Sequence, residues 1–164
     1  MKRIGIIAVV AALSGCGWYT NVPAQVSVVN IEPATVQVAI EGTKVTFTNP
    51  TVTVQGQNGS IGTTFGTATV SYDKDSGIAS KSMAMSLRVE PTYLKKYPTE
   101  SSTTTDVEFT PGSGKALLPV VDQSVVDALK TKRSITATVT LLGLDDAQFP
   151  TSVTLYVPIV STGQ

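Results

Sequence analysis

The sequence predicts a mainly β protein, built as an antiparallel β-sandwich with one short helix; a small closed β-barrel is the alternative. Three observations carry that prediction. From Gln25 onward, apolar residues alternate with Thr, Ser or Gln over long stretches, as expected of strands with one face on a core and one in water. The alternating runs are rich in Val and Ile, whose branched side chains suit a pleated surface. Clusters of Gly, Asn, Asp and Pro separate them at sandwich-like spacing.

Taken in order, Val36, Val38 and Ile40 share one face, with Thr35, Gln37 and Ala39 on the other. Glu41-Gly42 is a tight turn into Val45 and Phe47, and Asn49-Pro50 marks a bend. Val52 and Val54 alternate with Thr51 and Thr53 before Gln57-Asn58-Gly59, a hairpin-type signal because Asn-Gly accepts positive φ. Ala68, Val70 and Tyr72 form the next inward row. Asp73-Lys74-Asp75-Ser76-Gly77 turns the chain into Met83, Met85, Leu87 and Val89. Residues 93–114 break the pattern, with Lys95-Lys96-Tyr97-Pro98, a Ser/Thr run at 101–105 and Pro111-Gly112-Ser113-Gly114; a strand over Asp106 to Thr110 is expected inside it. Long connections of this kind serve binding or carry no fixed structure, and Tyr93 and Tyr97 are the candidate partner contacts.

A helix is expected around 124–132. Ser124 to Asp127 has capping-box spacing, Val125, Val126 and Leu129 can face the sheet, and Lys130, Lys132 and Arg133 suit a helix C-terminus. Ile135, Ala137, Val139 and Leu141 alternate with threonines, a turn is expected at Gly143-Leu144-Asp145-Asp146, and Val153, Leu155, Val157 and Ile159 close the chain. This last pair resembles the closing hairpin of immunoglobulin-like or fibronectin-type domains. The cysteine pair and core tryptophan of true immunoglobulin domains are not in the sequence, since the one Trp is Trp18 and the one Cys is Cys16.

The N-terminus has a different composition. Lys2 and Arg3 precede an apolar run from Ile4 to Leu13, followed by Ser14-Gly15-Cys16. Ten apolar residues fall short of the ~20 that cross a bilayer as a helix, and the charged start and small residues fit an export signal. Leu13-Ser14-Gly15-Cys16 resembles the lipobox of bacterial lipoprotein precursors. The resemblance implies a signal peptide over 1–15, lipidation of Cys16 by diacylglyceryl and often a further acyl chain such as palmitate, a tether over 16–24, and a single domain over 25–164. It also implies a cell-envelope location on the exported side of the membrane. With Gly17 rather than Asp after the cysteine, the outer membrane is expected where the organism has one. Trp18 and Tyr19, beside the lipid site, either favour the interface or pack on the domain.

Loss of Lys2 and Arg3 leaves 10 basic against 12 acidic residues, a net charge of −2. That balance argues against nucleic acid as a partner. A lone cysteine excludes an internal disulfide, and the absence of histidine removes the usual general base and any Ser-His-Asp triad. Ser71-Tyr72-Asp73-Lys74 has Ser-x-x-Lys spacing but ends a strand pattern, whereas that motif needs one helical turn. Gly112-Ser113-Gly114-Lys115 lacks the first Gly and the final Ser/Thr of a phosphate loop and reads as a turn. Asp73, Asp75 and Gly77 open like a calcium loop, but its twelfth position is Ala84; a site shared with Asp145 and Asp146 requires the two turns to meet at one end. Nor is any pair of acidic residues marked out for glycoside hydrolysis.

No catalytic residue, cofactor or metal is therefore expected. The expected function is a lipid-anchored, non-catalytic structural or interaction module that binds another envelope component. A lipoprotein carrying a small lipid or sugar ligand is the alternative, ahead of an envelope hydrolase.

Overall fold

The computed structural model describes residues 23–94 and 109–162, and the fold is mainly β with one helix among them. The first strands come from the Val-rich N-terminal third: β1 (Val26–Glu32), β2 (Val36–Glu41), β3 (Lys44–Thr46) and β4 (Thr51–Gly56). Then come the two long strands β5 (Thr63–Tyr72) and β6 (Lys81–Val89), joined by a 3-10 turn at Lys74–Ser76. Short pieces β7 (Tyr93–Leu94) and β8 (Phe109–Thr110) lead to β9 (Ser113–Leu117), helix α1 (Gln123–Leu129), and the closing strands β10 (Ser134–Asp145) and β11 (Pro150–Thr162).

The long strands form a six-stranded sheet in the order β3-β2-β11-β10-β5-β6; a three-stranded sheet, β1-β4-β9, lies against it, and β7 pairs with β8. The two sheets curl together into a half-barrel. The β10-β11 and β5-β6 hairpins stand where the sequence puts them. Between β1 and β2 the chain changes sheets, with a cis peptide at Glu32-Pro33, and β2 then pairs in parallel with β11.

Alternation becomes burial. Val36, Val38, Val52, Val54, Val70, Val139, Val157 and Ile159 lie at or near zero exposure around Phe65, while their Thr and Ser neighbours face water. Each such side chain contributes about 1.5–3 kcal/mol on leaving water. Met83 and Met85 are half-buried against the same core.

Four details differ from the sequence expectation. Gln57-Asn58-Gly59 does turn, with Gly59 at φ 78°, but it carries the chain from one sheet to the other, so it closes no hairpin. Near-neighbour turn chemistry does not specify which strand comes next to which. The helix begins earlier: Asp122, not Ser124, is its N-cap, accepting from Val125 N at 3.2 Å, and Ser124 Oγ donates to the same carboxylate oxygen. The last turn begins after Asp145, since Gly143 and Leu144 still pair with Thr151 and Pro150. In the 93–114 region Phe109–Thr110, the described part of the strand expected over Asp106 to Thr110, is strand β8, while Ser113, Gly114 and Lys115, read as part of a turn, belong to strand β9. Its glycines serve close packing: a Cβ on Gly112 would strike the Glu90 carbonyl, and one on Gly114 the Arg88 carbonyl. Without side chains there, β9 lies directly on the backbone of β6 and joins the two sheets.

Candidate functional site

The N-terminal start of the described chain fixes one end of the sandwich. Ala24 is buried, and its N–H donates to Asp145 Oδ2 at 3.0 Å. The other oxygen of Asp145 accepts from Ala147 N at 2.9 Å and Phe149 N at 2.8 Å. Asp145 is 2% exposed, and accepting three backbone N–H groups is how a carboxylate remains buried without a cation beside it. One side chain thus closes the β10-β11 turn and pins the chain where it enters the domain. Next to it, Gln25 N donates to Ser60 Oγ and Gln57 N to Gln25 O. Thr92 N donates to Ser60 O and Thr92 Oγ1 to Gln57 O. These bonds bring Tyr93 and the β7-β8 ribbon to the same end as Ala24.

At this end Arg88 is flanked by two acids. Arg88 grips Asp146 through two hydrogen bonds, 2.6 and 3.0 Å, with Glu90 3.6 Å from its Nε. The hydrogen bonds from Arg88 hold the Asp146 carboxyl below its usual range. Gly62 lies beneath the pair: a Cβ there would come within 2.5 Å of the guanidinium and 2.6 Å of the carboxylate. Around these charges sit apolar side chains open to solvent: Ile61, Tyr93 (57% exposed), Phe109, Leu142 and Leu144. An open groove of about 470 Å³ runs over Leu142 and Leu144 beside Thr64 and Gln148.

The opposite end carries the charged turns. Lys81 Nζ lies 2.7 Å from Asp122 Oδ2. Burial pushes the Asp122 carboxyl up, but the hydrogen bonds from Lys81, Ser124 and Val125 N outweigh it and hold it at about 2. Tyr72 Oη donates to Val120 O at 2.7 Å, and burial raises its phenol. Asp73 Oδ2 accepts from Thr136 N at 2.7 Å, and Lys132 Nζ donates to Asp75 O. These contacts latch the turn to the start of β10, as ordinary turn chemistry does.

The sequence-derived candidates separate accordingly. Tyr93 is exposed on the β7-β8 ribbon; Tyr97 and Cys16 lie outside the described residues. Asp73 and Asp75 follow the last residue of β5, whereas Asp145 pairs with its first, Thr63. Ten residues of strand, roughly 33 Å, separate the two turns, so they form no shared cation site. Ser71 remains on β5 with Oγ 3.5 Å from Thr138 O, and Lys74 belongs to the following turn; the helical turn a Ser-x-x-Lys pair requires is not there.

The roles of four residues escaped the sequence reading although a signal existed. Asp145 has the strand parity of Ile135, Ala137, Val139 and Leu141, an acid at an inward position. Leu142 and Leu144 have the outward parity, apolar where Thr is the rule. Tyr156, 65% exposed, likewise stands on the outer face opposite Thr138. No protein-family model matches the chain, and no curated protein matches it.

Proposed function

We propose that this protein is a lipid-anchored module of the bacterial cell envelope that binds another envelope component and performs no catalysis. The observation that carries the reading is Leu13-Ser14-Gly15-Cys16 at the end of a short apolar run, with the domain beginning only a few residues later. The mature protein would hold the exported side of the membrane through acyl chains on Cys16; two or more chains are needed for durable anchoring, since one alone is marginal. An outer-membrane position is proposed where the organism has that membrane. The folded domain supports the reading in two ways. Its core is filled by its own side chains, and its surface has an exposed aromatic residue at Tyr156, a residue type enriched at interfaces. No nucleic acid, metal or cofactor is part of the proposal.

The test is crosslinking in cells of the native protein, with Cys16→Ala as the mislocalised control. One dominant protein or glycan captured by the native chain and lost in the control is the expected outcome. Equal capture by both would overturn the anchored part of the reading, and a small ligand co-purifying with the soluble domain would replace the interaction part.

A further inference from the structure

Resting on the reading of Cys16 as the lipid-bearing residue, we propose that the end of the domain bearing Ile61, Tyr93, Phe109 and Leu144 is a docking surface for the bilayer itself, one that takes up the uncharged interfacial layer of the lipids. Covalent length is the first argument. Ala24 is eight positions after Cys16, and an extended chain spans at most about 3.6 Å per residue, so the Ala24 Cα lies within about 29 Å of the Cys16 Cα whatever conformation the tether adopts. Ala24 is not free to swing away from the domain, because Asp145 holds its N–H inside the fold. The long axis exceeds that reach: β11 has 13 residues, roughly 43 Å, and β5 has 10, roughly 33 Å. The Ala24 end therefore cannot leave the neighbourhood of the membrane, whereas the Lys74–Ser76 end, a strand length further off, is held there by no covalent tie.

Surface chemistry is the second, independent argument. At the Ala24 end, Tyr93, Phe109, Ile61 and Leu144 are solvent-open. The ribbon pairing Tyr93 with Thr110 and Leu94 with Phe109 sends Tyr93 and Phe109 to opposite sides of one projection. A tyrosine with its apolar body and polar tip suits the headgroup region. Arg88, Glu90 and Asp146 neutralise one another within the ion-pair cluster apart from one residual negative charge. Among the described residues of this end Arg88 is spent on these acids, so the contact they offer is apolar and does not depend on anionic headgroups. The remote end, with Lys74, Lys130, Lys132 and Arg133, has the opposite character. Anchored in this way, the protein turns Tyr93 toward lipid and leaves Tyr156 and the remote turns to meet partners in the aqueous space.

The experiment uses the full lipidated protein reconstituted in phosphatidylcholine vesicles whose lipids carry bromine high on the acyl chain. In a Trp18→Phe background, Tyr93→Trp and Phe109→Trp report the docking end, and Lys74→Trp reports the remote end. The first two should be blue-shifted and quenched roughly threefold more than the third, as an interfacial tryptophan is, and equally when phosphatidylglycerol is added. If Trp18 of the otherwise unaltered protein is quenched and Cys16 carries its acyl mass, yet positions 93 and 109 are quenched no more than position 74, the docking surface is disproved while the anchor stands. Quenching that appears only with phosphatidylglycerol overturns the apolar contact. A Cys16 peptide without acyl mass overturns the anchor, and the docking surface with it.

Discussion

The two ends of the sandwich are held by different chemistry. At the Ala24 end a single buried carboxylate, Asp145, satisfies three backbone donors, of which Ala24 lies 121 residues away in the chain. At the Lys81 end, partly exposed side chains do the fastening: the Lys81–Asp122 pair, the Asp122 cap and the Asp73 latch. Buried hydrogen bonds to a charge are worth more, and their loss costs more, because water cannot replace the missing partner; exposed pairs are screened and replaceable. The first end is accordingly rigid where the chain enters, and its outward residues are free to be apolar. The second end spends its surface on charge.

The largest effect that would break this contrast is Asp145→Ala. It strands the N–H groups of Ala24, Ala147 and Phe149 and should cost about 3 kcal/mol in chemical denaturation, with fast hydrogen exchange at Ala24. A cost no greater than that of Asp122→Ala would remove the distinction between the ends. Next is Gly112→Ala, which drives a methyl into the Glu90 carbonyl; overpacking of this kind should cost about 2 kcal/mol and loosen β9 from β6, read by exchange of β9 amides.

At the other end, Asp122→Ala should cost about 1 kcal/mol, the ordinary worth of an N-cap. Its pH dependence has a definite sign. A carboxyl held at about 2 in the folded protein, against about 3.9 unfolded, contributes stability that is complete above the unfolded value. That contribution is lost as pH falls from about 4 toward 2. Melting curves of the native and Asp122→Ala proteins should therefore converge over that interval; parallel curves would show that the Lys81–Asp122 pair contributes nothing.

Within the first end, Thr63 Oγ1 is buried with no hydrogen-bond partner among the described residues. Thr63→Val should raise stability, by up to about 1 kcal/mol, and a loss in thermal melting would reveal a bond to that hydroxyl. The smallest effect is expected at Arg88→Ala. Its Asp146 partner is exposed, so the change in melting temperature should be below that of Asp122→Ala and should vanish in high salt.

Strand identity was legible because alternation is local: the parity of Val36 and Val38, or of Ile135 to Leu141, assigns a face from neighbours two residues away. The helix was legible for the same reason, although its cap is Asp122, whose second carboxylate oxygen accepts from Lys81, 41 residues earlier. Of the candidate contact residues, Tyr93 is exposed as expected, but its place beside Ala24 had no local signal. It follows from Thr92 bonding to Ser60 and Gln57, and from Ser60 bonding to Gln25.

By itself the sequence determined the mainly β class, the inward face of most strands, the two hairpins β5-β6 and β10-β11, and the helix before β10, all of them properties of residues near in the chain. Only the tertiary structure decided that Gln57-Asn58-Gly59 changes sheets, that β2 runs parallel to β11, that Gly112 and Gly114 are backbone contacts, and that Asp145 holds Ala24. Each of these depends on pairings between segments far apart in the chain. Their energies are settled when the whole core closes, and no short window of residues encodes them.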